Sequence, residues 1–152
     1  MLEFFFQPKS IAVIGASNDS TKLGYAVVKN LVEGGFVKTG QIYPINPKAT
    51  EIFGYPSYPN VNDVPGEIDL AVIVIPYLLV PAVLRTCGEK GIPAAIVISA
   101  GFREAGMEGL EREQELLTIA KEFGIRLIGP NCLGIIDTFT PVNASFAAGL
   151  FQ

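Results

Sequence analysis

Residues 10–31, SIAVIGASNDSTKLGYAVVKNL, hold the pattern on which the fold turns. Ile11 to Ile14 form an unbroken apolar run, Gly15 stops it, and after a polar loop Gly24, Val27, Val28 and Leu31 recur at helical spacing. An apolar run without alternation is how a strand buried on both faces of a parallel sheet reads, and a strand followed by a helix is half of a crossover unit. Ser20 or Thr21 offers a cap for that helix and Gly34-Gly35 a stop. The same punctuation repeats along the chain. QIYPIN from Gln41, DLAVIVI from Asp69, AAIVIS from Ala94 and a weaker RLIG from Arg126 read as further strands. Leu78 to Lys90 and Gly109 to Phe123 read as helices, the latter with Leu110, Leu117, Ala120 and Phe123 on one side. Alternation of this kind, with right-handed crossovers, predicts an α/β fold with a doubly wound, mostly parallel open sheet.

The remainder is less regular. Thr50 to Ile68, rich in Pro, Asn and Tyr, reads as loop with a short helix, and the segment after Gly129 as an extended tail without helical period. Phe4, Phe5 and Phe6 read as a docking segment over a hydrophobic groove, and Glu108, Glu111, Glu113 and Glu115 as a solvated helix face.

Composition narrows the function. The chain has 152 residues, enough for one domain, with 49% hydrophobic and 17% charged residues, so it is no solvating tail. A net charge of −4 supplies no overall positive field, which argues against nucleic acid and anionic lipid as partners. Leu70 to Leu84 is the longest apolar run; at 15 residues, interrupted by Pro76 and Pro81, it is too short for a membrane span. Two cysteines, Cys87 and Cys132, make no disulfide scaffold, and the N-terminus lacks the pattern of a signal peptide, so the cytoplasm is the expected compartment. Histidine is absent, which removes the commonest general base and any phosphohistidine chemistry from this chain. With no CxxC, HExxH or acidic loop motif, no metal ligands and no catalytic residues are assigned.

Ligands of open α/β sheets lie outside the carboxyl ends of the strands, so the strand exits hold the candidate site. At the first exit, Gly15 permits a tight turn, Ala16 and Ser17 allow close approach to backbone N–H groups, and Asn18 and Lys22 add donors ahead of a helix N-terminus. That loop suits a phosphate, or is simply a capped turn. A dinucleotide fingerprint would place glycines at 17 and 20, where Ser17 and Ser20 stand, and an acid at the second exit, which instead runs Asn46-Pro47-Lys48. Lys48 suits a phosphate, or is an ordinary solvated lysine. Ile75-Pro76-Tyr77 and Ser99-Ala100-Gly101-Phe102 form the third and fourth exits, either ligand walls or strand terminators. Asn131 and Cys132 stand in the fifth exit, GPNCLG (129–134). A lone Cys without a histidine partner reads as a small hydrophobe rather than a nucleophile.

Taken in order, SIAVIGASNDSTKLGYAVVKNL, IYPINPK, DLAVIVIP, IVISAGF and IGPNCLG resemble the CoA-binding domain of the NDP-forming acyl-CoA synthetases. That family includes ADP-forming acetyl-CoA synthetase and, more distantly, the succinyl-CoA synthetase α subunit. The resemblance runs over roughly residues 4–146 and implies a Rossmann-like CoA-binding domain over 1–146, with 147–152 beginning a linker toward a following domain. It implies CoA or acyl-CoA as ligand, with Gly15 to Asn18 and Lys22 on a phosphate. By the same resemblance Lys48 gives a basic contact, with Asn46 and Pro47 beside it on the ligand, Ile75 and Pro76 an apolar wall, Ile98 to Ala100 a strand-exit contact, and Asn131 and Cys132 lie near the thiol. Ala100 departs from the acidic residue that succinyl-CoA synthetase carries there, so that contact is backbone or absent. The implied reaction, acyl-CoA + ADP + phosphate giving acid + CoA + ATP, needs a phosphohistidine domain and an ATP-grasp domain or subunit, neither of which fits a His-free chain of this length. Two alternatives stand beside this reading: a free-standing CoA-binding regulatory module and an NAD(P)-binding Rossmann domain.

Overall fold

β1 (Ser10–Ile14) is buried at every position, and it lies second in the sheet. In the computed structural model, which describes residues 2–148, β1 is flanked by β2 (Gln41–Ile45) and β5 (Leu70–Ile73). β6 (Ala94–Val97) and β7 (Arg126–Ile128) complete a five-stranded sheet in the order β2-β1-β5-β6-β7, and every pairing is parallel. The predicted strands and the doubly wound architecture are therefore present.

Two cores form because successive strand residues face opposite ways. Ala12, Ile14, Ala71, Ile73, Ala95 and Val97 pack with α3 (Val80–Lys90) and α4 (Met107–Phe123). Ile11, Val13, Leu70, Val72, Ala94 and Ile96 pack with α2 (Leu23–Glu33) on the other face. The continuous apolar runs in the sequence are the direct result of this double burial.

Several local expectations are corrected. No side chain caps α2: its N-cap is Lys22, in extended conformation, while Ser20 and Thr21 stay in the preceding loop. α3 begins at Val80 rather than Leu78, because Tyr77–Leu79 form a 3₁₀ turn and Pro81 occupies the first turn of the helix. In α4 the buried face is Gly109, Leu116, Ile119 and Ala120, with Leu117 53% exposed. Leu116 and Leu117 are adjacent, and packing against α3 selected the first. Within the supposed acidic face, Glu113 is sheltered and paired with Arg103 at 2.7 Å.

The Pro-rich segment after β2 holds more order than expected. β3 (Glu51–Ile52) and β4 (Tyr55–Pro56) form a small antiparallel hairpin, followed by a 3₁₀ turn at Val61–Asp63. Tyr58 then closes the open edge of β2, donating its N–H to Pro44 and accepting from Asn46 N–H, each at 3.0 Å. Covering an edge strand in this way removes a template for intermolecular pairing.

The supposed extended tail is also a hairpin. β8 (Gly134–Ile136) pairs antiparallel with β9 (Asn143–Ser145), and Ile135, Val142 and Ala144 turn inward over α2. Asn30 of α2 fastens this hairpin, donating its side-chain amide to the carbonyls of Ser145 at 2.8 Å and Ala147 at 3.0 Å. At the other end α1 (Glu3–Phe6) docks chiefly through Phe5, which is fully buried, while Phe6 stays exposed. The expected linker at 147–152 falls largely on residues 149–152, outside the described residues.

Candidate functional site

β1 sends its chain to β2 on one side while its other neighbour, β5, is reached by a later crossover; the loops after β1 and β5 therefore diverge. Between them opens a cleft of about 510 Å³, within the range of small-molecule sites, at the carboxyl edge of the sheet.

The first exit and the start of α2 form one wall, through Gly15 to Ser17 and Lys22 to Gly24. Gly15 takes φ +98°, a region open to glycine, and its N–H donates to Ile45 at 3.1 Å. Beyond it the loop is self-bonded: Ser17 Oγ accepts from Asp19 N–H at 3.0 Å, and Asp19 Oδ1 accepts from Thr21 N–H at 2.9 Å and Thr21 Oγ1 at 2.7 Å. Those Thr21 bonds, the hydroxyl's first, hold the Asp19 carboxyl below its ordinary pKa. Asp19 is thus occupied in shaping the loop. Lys22 lines the cleft beside the positive end of an eleven-residue helix that carries no acid in its first turn.

At the second exit Asn46 lines the cleft and acts as a brace. Its amide donates to Ala16 O at 2.9 Å, and its Oδ1 accepts from Lys48 N–H and Ala49 N–H, both at 2.9 Å. Pro47 and Lys48 are exposed and stand outside the cleft lining. Asn18 is exposed as well, with its amide donated to Glu51 O at 2.9 Å, so it ties the first loop to β3.

The opposite wall is apolar. Val74, Ile75, Pro76 and Tyr77 from the third exit meet Ser99 and Ala100 from the fourth. Ser99 joins the two: its Oγ donates to Ile75 O and accepts from Ile75 N–H. Ile98 is buried beneath, and Ser99 O accepts from Asn131 N–H at 3.0 Å. Neither Asn131, at φ +54° and exposed, nor Cys132 lines the cleft; both stand at the fifth exit, where the Cys132 thiol donates to Val97 O at 3.4 Å. Burial pushes the Cys132 thiol above its ordinary pKa, keeping it protonated at neutral pH. Cys87, on the buried face of α3, is pushed up to about 12 by the same cause. Neither environment activates a nucleophile.

Nine of the fifteen positions expected from the sequence, Gly15, Ala16, Ser17, Lys22, Asn46, Ile75, Pro76, Ser99 and Ala100, line the cleft together, while Asn18, Pro47, Lys48, Ile98, Asn131 and Cys132 do not. Leu23, Gly24, Val74 and Tyr77 also line the cleft and were not among those fifteen. Each lies within two residues of a chosen one, so proximity along the chain was the available signal. Among the described residues no cluster of three or more His, Cys, Asp or Glu side chains stands ready for a metal ion. The arrangement sets a wall that carries Lys22 and the positive end of α2 against an apolar wall, suited to binding an anionic group joined to an uncharged arm.

Residues 9–138 match the family described as CoA binding domain. The chain belongs to that family. This CoA-binding domain is 50% identical over 146 residues to the ADP-forming acetate–CoA ligase II subunit alpha of Pyrococcus furiosus, spanning 96% of this chain and 31% of that protein. It is 51% identical over 146 residues to the ADP-forming acetate–CoA ligase of Methanocaldococcus jannaschii, covering 96% of this chain and 20% of the relative. Among solved structures, acetyl-coenzyme A synthetase 1 of Ca. Korarchaeum cryptofilum, in complex with phosphate and ADP, superposes with a TM-score of 0.91 at 43% identity. That match covers 96% of this CoA-binding domain and 31% of the synthetase chain. The domain thus spans between a fifth and a third of these larger proteins.

Proposed function

We propose that this domain holds CoA or acyl-CoA for an ADP-forming acyl-CoA synthetase, a ligase that interconverts acyl-CoA + ADP + phosphate with acid + CoA + ATP. The observation that carries the reading is the cleft at the switch point, joined to membership of the CoA-binding-domain family. The diphosphate rests against the backbone of Gly15 to Ser17 and the start of α2, with Lys22 as its cation. Asn46 keeps the first and second exits in register, and Lys48 reaches toward the nucleotide phosphates from outside the cleft. The pantetheine arm crosses Ile75, Pro76, Ser99 and Ala100, and its thiol end points toward the Asn131–Cys132 turn.

The catalytic work belongs elsewhere in the whole protein. Phosphate relay needs a histidine, and this sequence has none. A phosphohistidine domain and an ATP-grasp domain or subunit complete the enzyme, in keeping with relatives that are several times longer. Among the described residues no helix is long and apolar enough to cross a membrane, and the proposed setting is the cytoplasm.

The absence of glycine at 17 and 20 and of an acid at the second exit sets this site apart from a dinucleotide site. Calorimetric titration with CoA and NADH tests the reading: heat from CoA at concentrations where NADH gives none supports it, and NADH binding without CoA binding overturns it.

A further inference from the structure

Arg112 projects from α4, a helix with no residue in the cleft lining, yet its guanidinium reaches the cleft's apolar end. Its carbon lies 4.4 Å from the centroid of the Tyr77 ring, close enough for a cation–π contact. Its Nη1 donates to the carbonyl of Gly101 at 3.1 Å, and Nη2 lies 3.4 Å from Glu108. Gly101 is itself fitted to the ring: it takes φ +104°, and a Cβ there would sit 2.6 Å from Tyr77. The planar ring is therefore set against the backbone of the fourth exit, and the planar guanidinium grips both ring and backbone. Glu104, accepting from the N–H groups of Phe102 and Gly101, fixes the same turn from its other side.

We infer that Arg112 is a positioning residue, a latch that joins the third and fourth exit loops through Tyr77 and Gly101 and so presets the wall along which the uncharged arm of CoA lies. The inference rests on the proposed CoA reading and deepens it. The anionic half of the ligand belongs with Lys22 and the positive end of α2, which leaves the apolar Ile75, Pro76 and Tyr77 end for the arm. A wall fixed in advance spares the ligand the cost of ordering it, which is where a positioning residue contributes affinity.

The test uses two ligands and two variants of this chain. The ligands are CoA and the phosphorylated adenosine diphosphate that remains when pantetheine is removed from CoA. Arg112→Met keeps length and apolar bulk but loses the charge and the bond to Gly101; Arg112→Lys keeps the charge but loses the planar fork. The expected result is that both variants bind CoA about fivefold more weakly while binding of the arm-less nucleotide stays within about twofold of the parent, which also shows that the fold is intact. Unchanged CoA affinity in Arg112→Met overturns the latch. Equal weakening of both ligands with full recovery in Arg112→Lys overturns it too, by showing that Arg112 acts only as a distant charge. A parent chain that binds neither ligand overturns the CoA reading itself, a failure distinct from either of these.

Discussion

Replacing Gly24 with alanine is expected to lower the melting temperature by about 6–12 °C and to weaken CoA binding by at least about tenfold. Gly24 lies in the first turn of α2, where alanine is ordinarily the better helix former by about 1 kcal/mol. Here the sign reverses, because a Cβ on Gly24 would overlap the Gly15 carbonyl oxygen and come 2.7 Å from its carbon. Both neighbours are backbone, so no rotamer change relieves the clash. The helix must withdraw from the first loop, at an overpacking cost of about 3 kcal/mol, and for a domain of this size each kcal/mol lowers the melting temperature by about 2–4 °C. The same withdrawal pulls the positive end of α2 away from the proposed diphosphate position. Differential scanning calorimetry and CoA titration on the variant measure both effects. A variant with the parent's melting temperature would show that α2 does not press on the Gly15 backbone.

The second large effect is expected at Lys22. Lys22→Ala should weaken CoA binding about tenfold at low salt, since a hydrogen bond to a charged group is worth about 1.5–3 kcal/mol. The loss should shrink as salt rises, because screening removes part of the attraction in the parent. Lys48→Ala serves as the internal comparison. Lys48 is exposed and outside the cleft lining, so its expected loss is smaller, about threefold. Stability should hardly move in either variant, both lysines being exposed. Titrations across a salt series decide the order; a larger loss at Lys48 than at Lys22 would relocate the principal phosphate contact to the second exit.

The contrast between these two lysines bears on how much was legible in the sequence. Strand exits are set by where apolar runs stop, and runs such as Ile11 to Ile14 and Leu70 to Ile73 are long enough to mark their own ends. The sheet and the cleft at its carboxyl edge follow from that. Which side chain at an exit enters the cleft depends on the turn taken after the strand. Asn46 turns inward to reach Ala16 O while Lys48 stays exposed outside the cleft lining, and nothing in the spacing of Asn46-Pro47-Lys48 distinguishes the two.

Long-range contacts were the least visible. Leu116 and Leu117 differ only in which one meets α3, so the buried face of α4 could be read only from the packed structure. The β8–β9 hairpin hides because its inward residues, Ile135, Val142 and Ala144, are separated by a turn, and its anchor, Asn30, lies 115 residues from Ser145. The Arg112–Tyr77 contact is of the same kind, joining a helix face to a loop across 35 positions of chain that carry no shared motif.

The most direct test of CoA binding at the switch point is a map of amide chemical shifts during CoA titration. The account predicts that the largest changes fall on Gly15 to Ser17, Lys22 to Gly24, Val74, Ile75, Tyr77, Ser99 and Ala100, with the β8–β9 hairpin and α1 unmoved. Changes concentrated on the hairpin or on the outer face of α4, with the first loop silent, would contradict it.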